Sequence, residues 1–351
     1  MSRVHFEKLL TMVKPYLKKR SLRALNPELR LLITLRYIAT GDLYFTIAIA
    51  FRVGESTVRS IVKEVCDVLI KVLQPIYLSL PTKNEWRNNA KGYWARWNMP
   101  NCLGSIDGKH IRLRCPPNSG SLYFNYKKYY SIVLLAIADH LYRFVLVDIG
   151  AYGGNSDGGI FSDSNIGINL SNNKLNIPDG DINLPHSDLK TPMFFIADDA
   201  FQLSKRIMKP YSSKNLQYSQ QIFNYRLSRA RRTIESAFGI LASKWRILHN
   251  VICVLPDTAD IIVNASVCLH NFVLKEEQKC ESKDFSKESN LYFNQNFLWL
   301  DAADAPNNEE NNYALNGDRQ RNTLKDYFIS TAGQVQWQHE YVQRGAYRNN
   351  E

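Results

Sequence analysis

The stretch YYSIVLLAIADHLYRFVLVDIGAYG, residues 129–153, decides the fold class. It contains two apolar, β-branched runs of strand length, split by the turn Asp139-His140-Leu141. Such a pair reads as an antiparallel hairpin. Upstream, CLGSIDG (102–108) is a short apolar run that ends in an acid. Downstream comes a loop-helix region, then the polar stretch Ser171 to Lys190, expected as a surface insertion. MFFIADDAF (193–201) reads as another buried strand ending in acids, and Phe223 to Trp245 as a long helix. Three strands, a helix, a strand and a helix make a mixed α/β order.

The residues before this core follow a different pattern. Leu29, Leu32, Ile33 and Ile38 recur at helical spacing, and Asn26-Pro27 is a helix start, with Asn as the cap and Pro at the first helical position. Gly41-Asp42 ends that helix. TIAIAFRVGESTVRSIVKEV (46–65) then reads as a short apolar helix, a tight turn at Val53-Gly54-Glu55, and a second helix that Ser56 can cap. Two helices joined by a short Gly turn are the helix-turn-helix pattern. In that arrangement Val58, Ile61, Val62 and Val65 pack inside, while Thr57, Arg59, Ser60 and Lys63 face the major groove. A plain helical hairpin would show the same periodicity.

The expected organisation is a helical domain over 1–80, a Trp- and Asn-rich connector over 81–100, and an α/β core over 101–275. An acidic flexible segment follows over 276–320, then a C-terminal helix and tail over 321–351. Charge supports this division. Residues 1–98 hold 17 Lys/Arg against 7 Asp/Glu, and residues 205–246 hold 10 against the single acid Glu235, within a net charge of +11. Residues 276–310 reverse the sign, with 9 acids against 3 lysines. Two basic blocks suit a polyanion such as nucleic acid. The longest apolar run, Ile132 to Ala138, is too short to span a bilayer, and the opening MSRVHFEKLL lacks the apolar core of a secretory signal. A soluble intracellular protein without membrane attachment is expected. The six cysteines form no C-x-x-C pair and read as buried free thiols.

Three acids fall where chemistry can use them. Asp107 ends the first strand, Asp198 ends MFFIAD, and Glu235 lies on the basic helix. Residues advance by about 3.3 Å along a strand, so acids at the ends of neighbouring strands can sit side by side. Grouped carboxylates repel unless a cation neutralises them. Mg²⁺ or Mn²⁺, with hard oxygen ligands, fits that need, and a pair of such ions about 3.5–4 Å apart serves phosphodiester cleavage. Each acid taken singly is also an ordinary turn former or ion-pair partner, and Glu235 has Arg231 one turn before it.

At these residues the sequence resembles the PIF/Harbinger-type transposases and the nucleases derived from them. SIDGKHI, GAYGGNSDGGIF, FFIADDAF and FNYRLSRARRTIESAFGILASKWRIL occur in family order, followed by an apolar segment ending in Leu269-His270-Asn271 and by RNTLKDYF. The resemblance implies an RNase H-like catalytic core behind a helix-turn-helix domain, with Asp107, Asp198 and Glu235 as catalytic metal ligands for Mg²⁺ or Mn²⁺. It aligns Asp198, not Asp199, with the second acid, and 36 residues separate Asp198 from Glu235. Asp157 matches a family acid that either caps the next helix or supports the metal. Asp199 is a second supporting candidate, and Asp148 is the next alternative. Arg226, Arg229 and Arg231 are expected to form a basic track for DNA. The resemblance also implies a Myb/SANT-like partner protein, compatibility with homo-oligomers, and a location in the nucleus and also the cytoplasm. A domesticated DNA-binding or scaffold protein that keeps the fold is the competing reading; a phosphohydrolase of small substrates suits the basic blocks less well.

Replacing Arg59 and Lys63 together with Ala is expected to weaken DNA binding and to flatten its salt dependence, by a slope of about one for each phosphate no longer neutralised. Binding titrations over a range of salt concentrations test this. An unchanged slope in a folded variant assigns the hairpin to packing.

Overall fold

The computed structural model describes residues 1–21, 23–213, 215–284 and 313–348. Four helices come first: α1 (Arg3–Leu17), α2 (Pro27–Thr40), α3 (Tyr44–Phe51) and α4 (Glu55–Tyr77). The Asn26 side chain accepts from Leu29 N at 2.7 Å, with Pro27 just inside the helix, and Gly41 closes α2 in the left-handed conformation. α4 starts one residue before the expected Ser56 cap, because Gly54 is its N-cap and no side chain caps it. Val58, Ile61, Val62 and Val65 are buried, and Thr57, Arg59, Ser60 and Lys63 are exposed. The helix-turn-helix therefore has the faces its periodicity implied.

The expected connector is itself a helix, α5 (Lys83–Trp97). A Thr82–Glu85 capping box starts it, a feature overlooked in favour of the Trp and Asn content. Trp86 and Tyr93 are completely buried, Trp86 in the cluster with Phe195 and Tyr93 in the cluster with Phe194 and α8 on the other face of the sheet. The core then runs through β1 (Cys102–Arg112), β2 (Ser131–Ala138), β3 (Phe144–Tyr152), α6 (Asp157–Asp163), α7 (Asn165–Ser171), β4 (Ile182–Asn183), β5 (Lys190–Thr191), β6 (Phe194–Ile196), β7 (Ile207–Met208), α8 (Tyr218–Lys244) and α9 (Pro256–Asp284). β4 and β5 form a small separate hairpin within the expected insertion. α10 (Tyr313–Ile329) and α11 (Gln338–Arg348) complete the described chain. Of the expected acidic segment, 276–284 continues α9 and 313–320 lies in α10; residues 285–312 fall outside the described residues.

The main sheet has the order β3-β2-β1-β6-β7. β1, β2 and β3 are antiparallel neighbours, while β6 and β7 run parallel to β1. This is the mixed, RNase H-like core. β2 is buried along its whole length. Its side chains alternate between two hydrophobic clusters, as a period of two requires. Ile132, Leu134, Ala136 and Ala138 join Ile234, Phe238 and Leu241 of α8. Val133, Leu135 and Ile137 join Trp86, Ile160 and Phe195 on the opposite face. A helix layer thus covers each face, which is why this strand reads as continuously apolar.

The first cluster also takes in Val58, Val62, Val65 and Leu69 of α4 and Ile262, Leu269 and Phe272 of α9. The second helix of the helix-turn-helix is therefore packed against α9, which in turn lies on β3 and β2. Asn271 sits at the junction: its Oδ1 accepts from Phe144 N (2.9 Å), and its Nδ2 donates to Phe144 O (2.7 Å) and Tyr77 O (2.8 Å). Cys66, Cys102 and Cys268 are buried as expected, but Cys115 and Cys253 are exposed, because both lie in loop segments. Among the described residues no helix is long and apolar enough to cross a membrane.

Asn271→Ala strands the buried amide and carbonyl of Phe144 and the carbonyl of Tyr77. It is expected to lower the unfolding free energy by about 2–4 kcal/mol, read from urea denaturation. A loss under about 1 kcal/mol would show that this side chain does not tie α4 to the sheet.

Candidate functional site

β1 and β6 run parallel with Ser105 opposite Ile196. Two residues further along each chain stand Asp107 and Asp198, so the register brings the two acids side by side. Asp107 does not end its strand as expected but lies in the middle of β1, which continues to Arg112, while Asp198 follows the end of β6. Asp107 lies on the odd-numbered face of β1 with Ser105, toward α8. Three buried hydroxyls hold that face. Tyr93 Oη donates to Ala138 O (2.9 Å) and lies 3.1 Å from Ser105 Oγ and 2.8 Å from Thr233 Oγ1. Ser105 Oγ and Thr233 Oγ1 are 2.7 Å apart. Thr233 lies two residues after Arg231, and the contact that docks α8 on β1 sets the Arg231 guanidinium near Asp107.

Arg231 joins the two acids. Its guanidinium is 2.5 Å from Glu235 Oε1 and 3.7 Å from Asp107 Oδ2. Asp107 is otherwise bound by Gly108 N at 2.8 Å. Burial pushes its carboxyl up to about 6; the Asp198 and Asp157 charges push the same way, against the Gly108 amide and Arg231. Asp157 is raised too, first by burial and then by Asp198, with Lys127 opposing. Its Oδ1 is buried without a hydrogen-bond partner. A side chain at Gly108 would come within 2.6 Å of that oxygen, so glycine here admits Asp157 to β1. Ser156, not Asp157, caps α6 by accepting from Gly159 N (3.3 Å). Asp148 accepts from Asn165 N (2.9 Å) at the start of α7 and has a structural task.

The two adjacent aspartates differ. Asp198 Oδ1 accepts from Ala200 N at 2.9 Å in a local turn. Asp199 is exposed and pairs with Lys209 at 3.1 Å. Among the described residues no three His, Cys, Asp or Glu side chains are gathered to ligate a metal ion. Even so, the donor set suits a hard divalent cation in kind, with burial and the Asp198 charge raising the pKa of Asp107 and Asp157, and with one orphaned oxygen on Asp157. In this structure Arg231 supplies the positive charge beside Asp107 and Glu235.

Two of the expected DNA-contacting arginines lie elsewhere. Arg226 is fully buried, donating to Gly333 O (3.1 Å) and Gln338 Oε1 (2.8 Å), and also to Asn98 O. Arg229 donates to Trp97 O (3.2 Å) and Asn98 Oδ1 (2.9 Å) and stacks on Trp337, 4.4 Å from the ring centre. α10, α11 and the end of α5 cover that face of α8, so these cations fasten the C-terminal helices and form no surface track. Their periodicity on α8 could not reveal which distant element covers them. Arg59 stays exposed but pairs with Glu55 (3.0 Å) and lies over Tyr44, 5.0 Å from the ring centre. Lys63 is exposed. Two cations beside the acids escaped the sequence reading: Lys109, on β1 and over the Phe238 ring, and Lys127, in the loop before β2. The basic-aromatic run YFNYKKYY was the visible signal of Lys127.

Residues 106–271 match the profile of a family described as DDE superfamily endonuclease. Residues 23–75 match one described as helix-turn-helix of DDE superfamily endonuclease. The protein named Antagonist of Like Heterochromatin Protein 1, from Arabidopsis thaliana, is 27% identical over 255 residues, covering 72% of this chain and 63% of its own. Protein ALP1-like from the same plant is 26% identical over 272 residues, covering 76% and 65%. The chain thus spans a little less than two thirds of the length of these curated relatives. No solved structure matches it.

Arg231→Gln removes the cation that neutralises Glu235 and Asp107. It is expected to tighten Mn²⁺ binding by roughly two- to fivefold, since a pair this exposed contributes about 0.5–1 kcal/mol. Calorimetric titration with Mn²⁺ measures it. Unchanged or weaker binding would mean that Arg231 does not compete with the ion.

Proposed function

Because the chain belongs to the DDE superfamily endonucleases, we propose that it is a divalent-metal-dependent DNA endonuclease of transposase type. Asp107, Asp198 and Glu235 are its catalytic carboxylates, and Asp157 supports them. The observation that carries this reading is the meeting of Asp107 and Glu235 on Arg231. It joins acids from strand and helix that stand 128 positions apart in the sequence. Members of this superfamily generally use divalent metals. Bound at these acids, Mg²⁺ or Mn²⁺ would stabilise charge on the attacking and leaving oxygens of a phosphodiester.

The chain's own groups do the rest. The exposed Thr57, Arg59, Ser60 and Lys63 of α4 engage duplex DNA, Arg59 and Lys63 through its phosphates. With another cation at the acids, Arg231 would be available to hold a phosphate. Lys109, close to Asp107, adds positive charge where the scissile phosphate lies. The printed name of one relative refers to a heterochromatin protein. A nuclear location, and a partner protein of Myb/SANT-like or chromatin type, belong to this proposal. That same name favours a second reading, in which the fold serves as a DNA-bound scaffold and does not cut.

A nicking assay on supercoiled DNA separates the two. The wild-type chain is expected to nick with Mn²⁺ and not with EDTA, and Asp107→Ala and Glu235→Gln are each expected to lower the rate at least about a hundredfold. DNA binding without metal-dependent nicking would reject the nuclease and favour the scaffold.

A further inference from the structure

The loop between β1 and β2 is a built surface beside the acids. Asn125 is buried and fixes its turn: Oδ1 accepts from Lys127 N (2.9 Å) and Tyr129 N (3.3 Å), and Nδ2 donates to Ser131 Oγ (2.8 Å). Its backbone amide donates to Tyr129 O (2.9 Å), and its carbonyl accepts from Lys128 N (3.0 Å). Lys128 takes a left-handed backbone, with φ of 64°, to close the turn. This conformation disfavours a non-glycine residue and persists where the surroundings impose it.

What the turn presents is aromatic and basic. Tyr126 is 76% exposed, the most exposed large apolar side chain among the described residues. Its ring is braced edge-to-face by His110, with centroids 5.6 Å apart. His110 is itself held through Nδ1 to Ser131 Oγ at 2.9 Å and stands three residues after Asp107 on β1. The Lys127 ammonium lies 5.2 Å from the centre of the Tyr126 ring, and Arg112 lies 4.5 Å from that of Tyr129. Lys127 and Lys128 are exposed. The charge of Lys127 reaches Asp157, opposing the rise in its pKa, so the loop borders the acidic site.

A flat ring on a fixed loop gains little from intact duplex, whose base faces are already stacked on one another. An unpaired base offers a free face, and stacking on it tolerates any sequence. We propose that Tyr126, with Lys127 and Lys128, forms a platform that binds an unpaired DNA nucleotide next to the phosphodiester held at the carboxylates. Tyr126 stacks on the base, and the two lysines hold flanking phosphates. The inference rests on the nuclease reading for its setting, but it concerns binding and can fail separately.

The test uses the full chain and a fluorescein-labelled 12-nucleotide oligothymidine, beside a labelled 12-base-pair duplex, both in EDTA so that no cleavage occurs. Fluorescence anisotropy is expected to show Tyr126→Ala weakening single-strand binding about tenfold. Duplex binding should change less than twofold. Tyr126→Trp should restore single-strand affinity. Lys127→Gln should reduce the salt slope on the single strand by about 0.7. Because Tyr126 is exposed, these changes leave the fold intact, and circular dichroism checks this. The proposal is overturned if the wild type does not bind the single strand, if Tyr126→Ala binds it normally, or if both probes weaken equally. It is also overturned if polyglutamate displaces the strand in a Tyr126-dependent way, which would assign the loop to an acidic protein partner. A wild type that nicks DNA while Tyr126→Ala keeps full single-strand affinity removes this inference alone. A Tyr126-dependent strand site on a chain that does not nick removes the nuclease reading alone.

Discussion

The hydroxyls of Tyr93, Ser105 and Thr233 meet in a fully buried cluster, and the candidate site is built on that contact. Buried hydroxyls are costly unless each finds a partner, so the cluster tolerates little change in the spacing of its three elements. It fixes α5, β1 and α8 relative to one another. Asp107 and Glu235 each stand two residues from a member of the cluster, and Arg231 spans the remaining gap. The geometry of the acids thus follows from a polar contact that contains none of them.

A second constraint ties the second helix of the helix-turn-helix to the same layer. α4 shares its core with α9, α8 and one face of β2, and Asn271 bonds both the end of α4 and the start of β3. Such a junction holds the exposed residues of α4 in a set relation to the sheet. The resemblance read in the motifs as a transposase-type protein is borne out by the two family matches.

The basic helix α8 divides three of its four arginines between two tasks. Arg226 and Arg229 are spent on carbonyls and rings of α5, α10 and α11, where their forked donors satisfy several acceptors at once. Arg231, on the face toward β1, is left beside the acids. The positive charge near the site comes as much from β1 and the following loop, through Lys109 and Lys127, as from the helix.

Local chemistry determined much of this in advance. The alternation in β2 and β3, the Asn26-Pro27 start, the apolar face of α4 and the order of the acidic motifs each depend on near neighbours in the chain, so they are legible as sequence. The resemblance of the motifs named Asp107, Asp198 and Glu235 without placing them. The helix within residues 81–100 carries a local start signal in its Thr82–Glu85 capping box, but only the tertiary structure decided which clusters its Trp86 and Tyr93 enter. It also decided that Asp199 turns to Lys209, that Ser156 frees Asp157 from capping, and that Arg226 is buried. The physical reason is the same in each case. Whether a polar side chain is free or engaged depends on which distant element packs against it, and that packing has no periodicity along the chain.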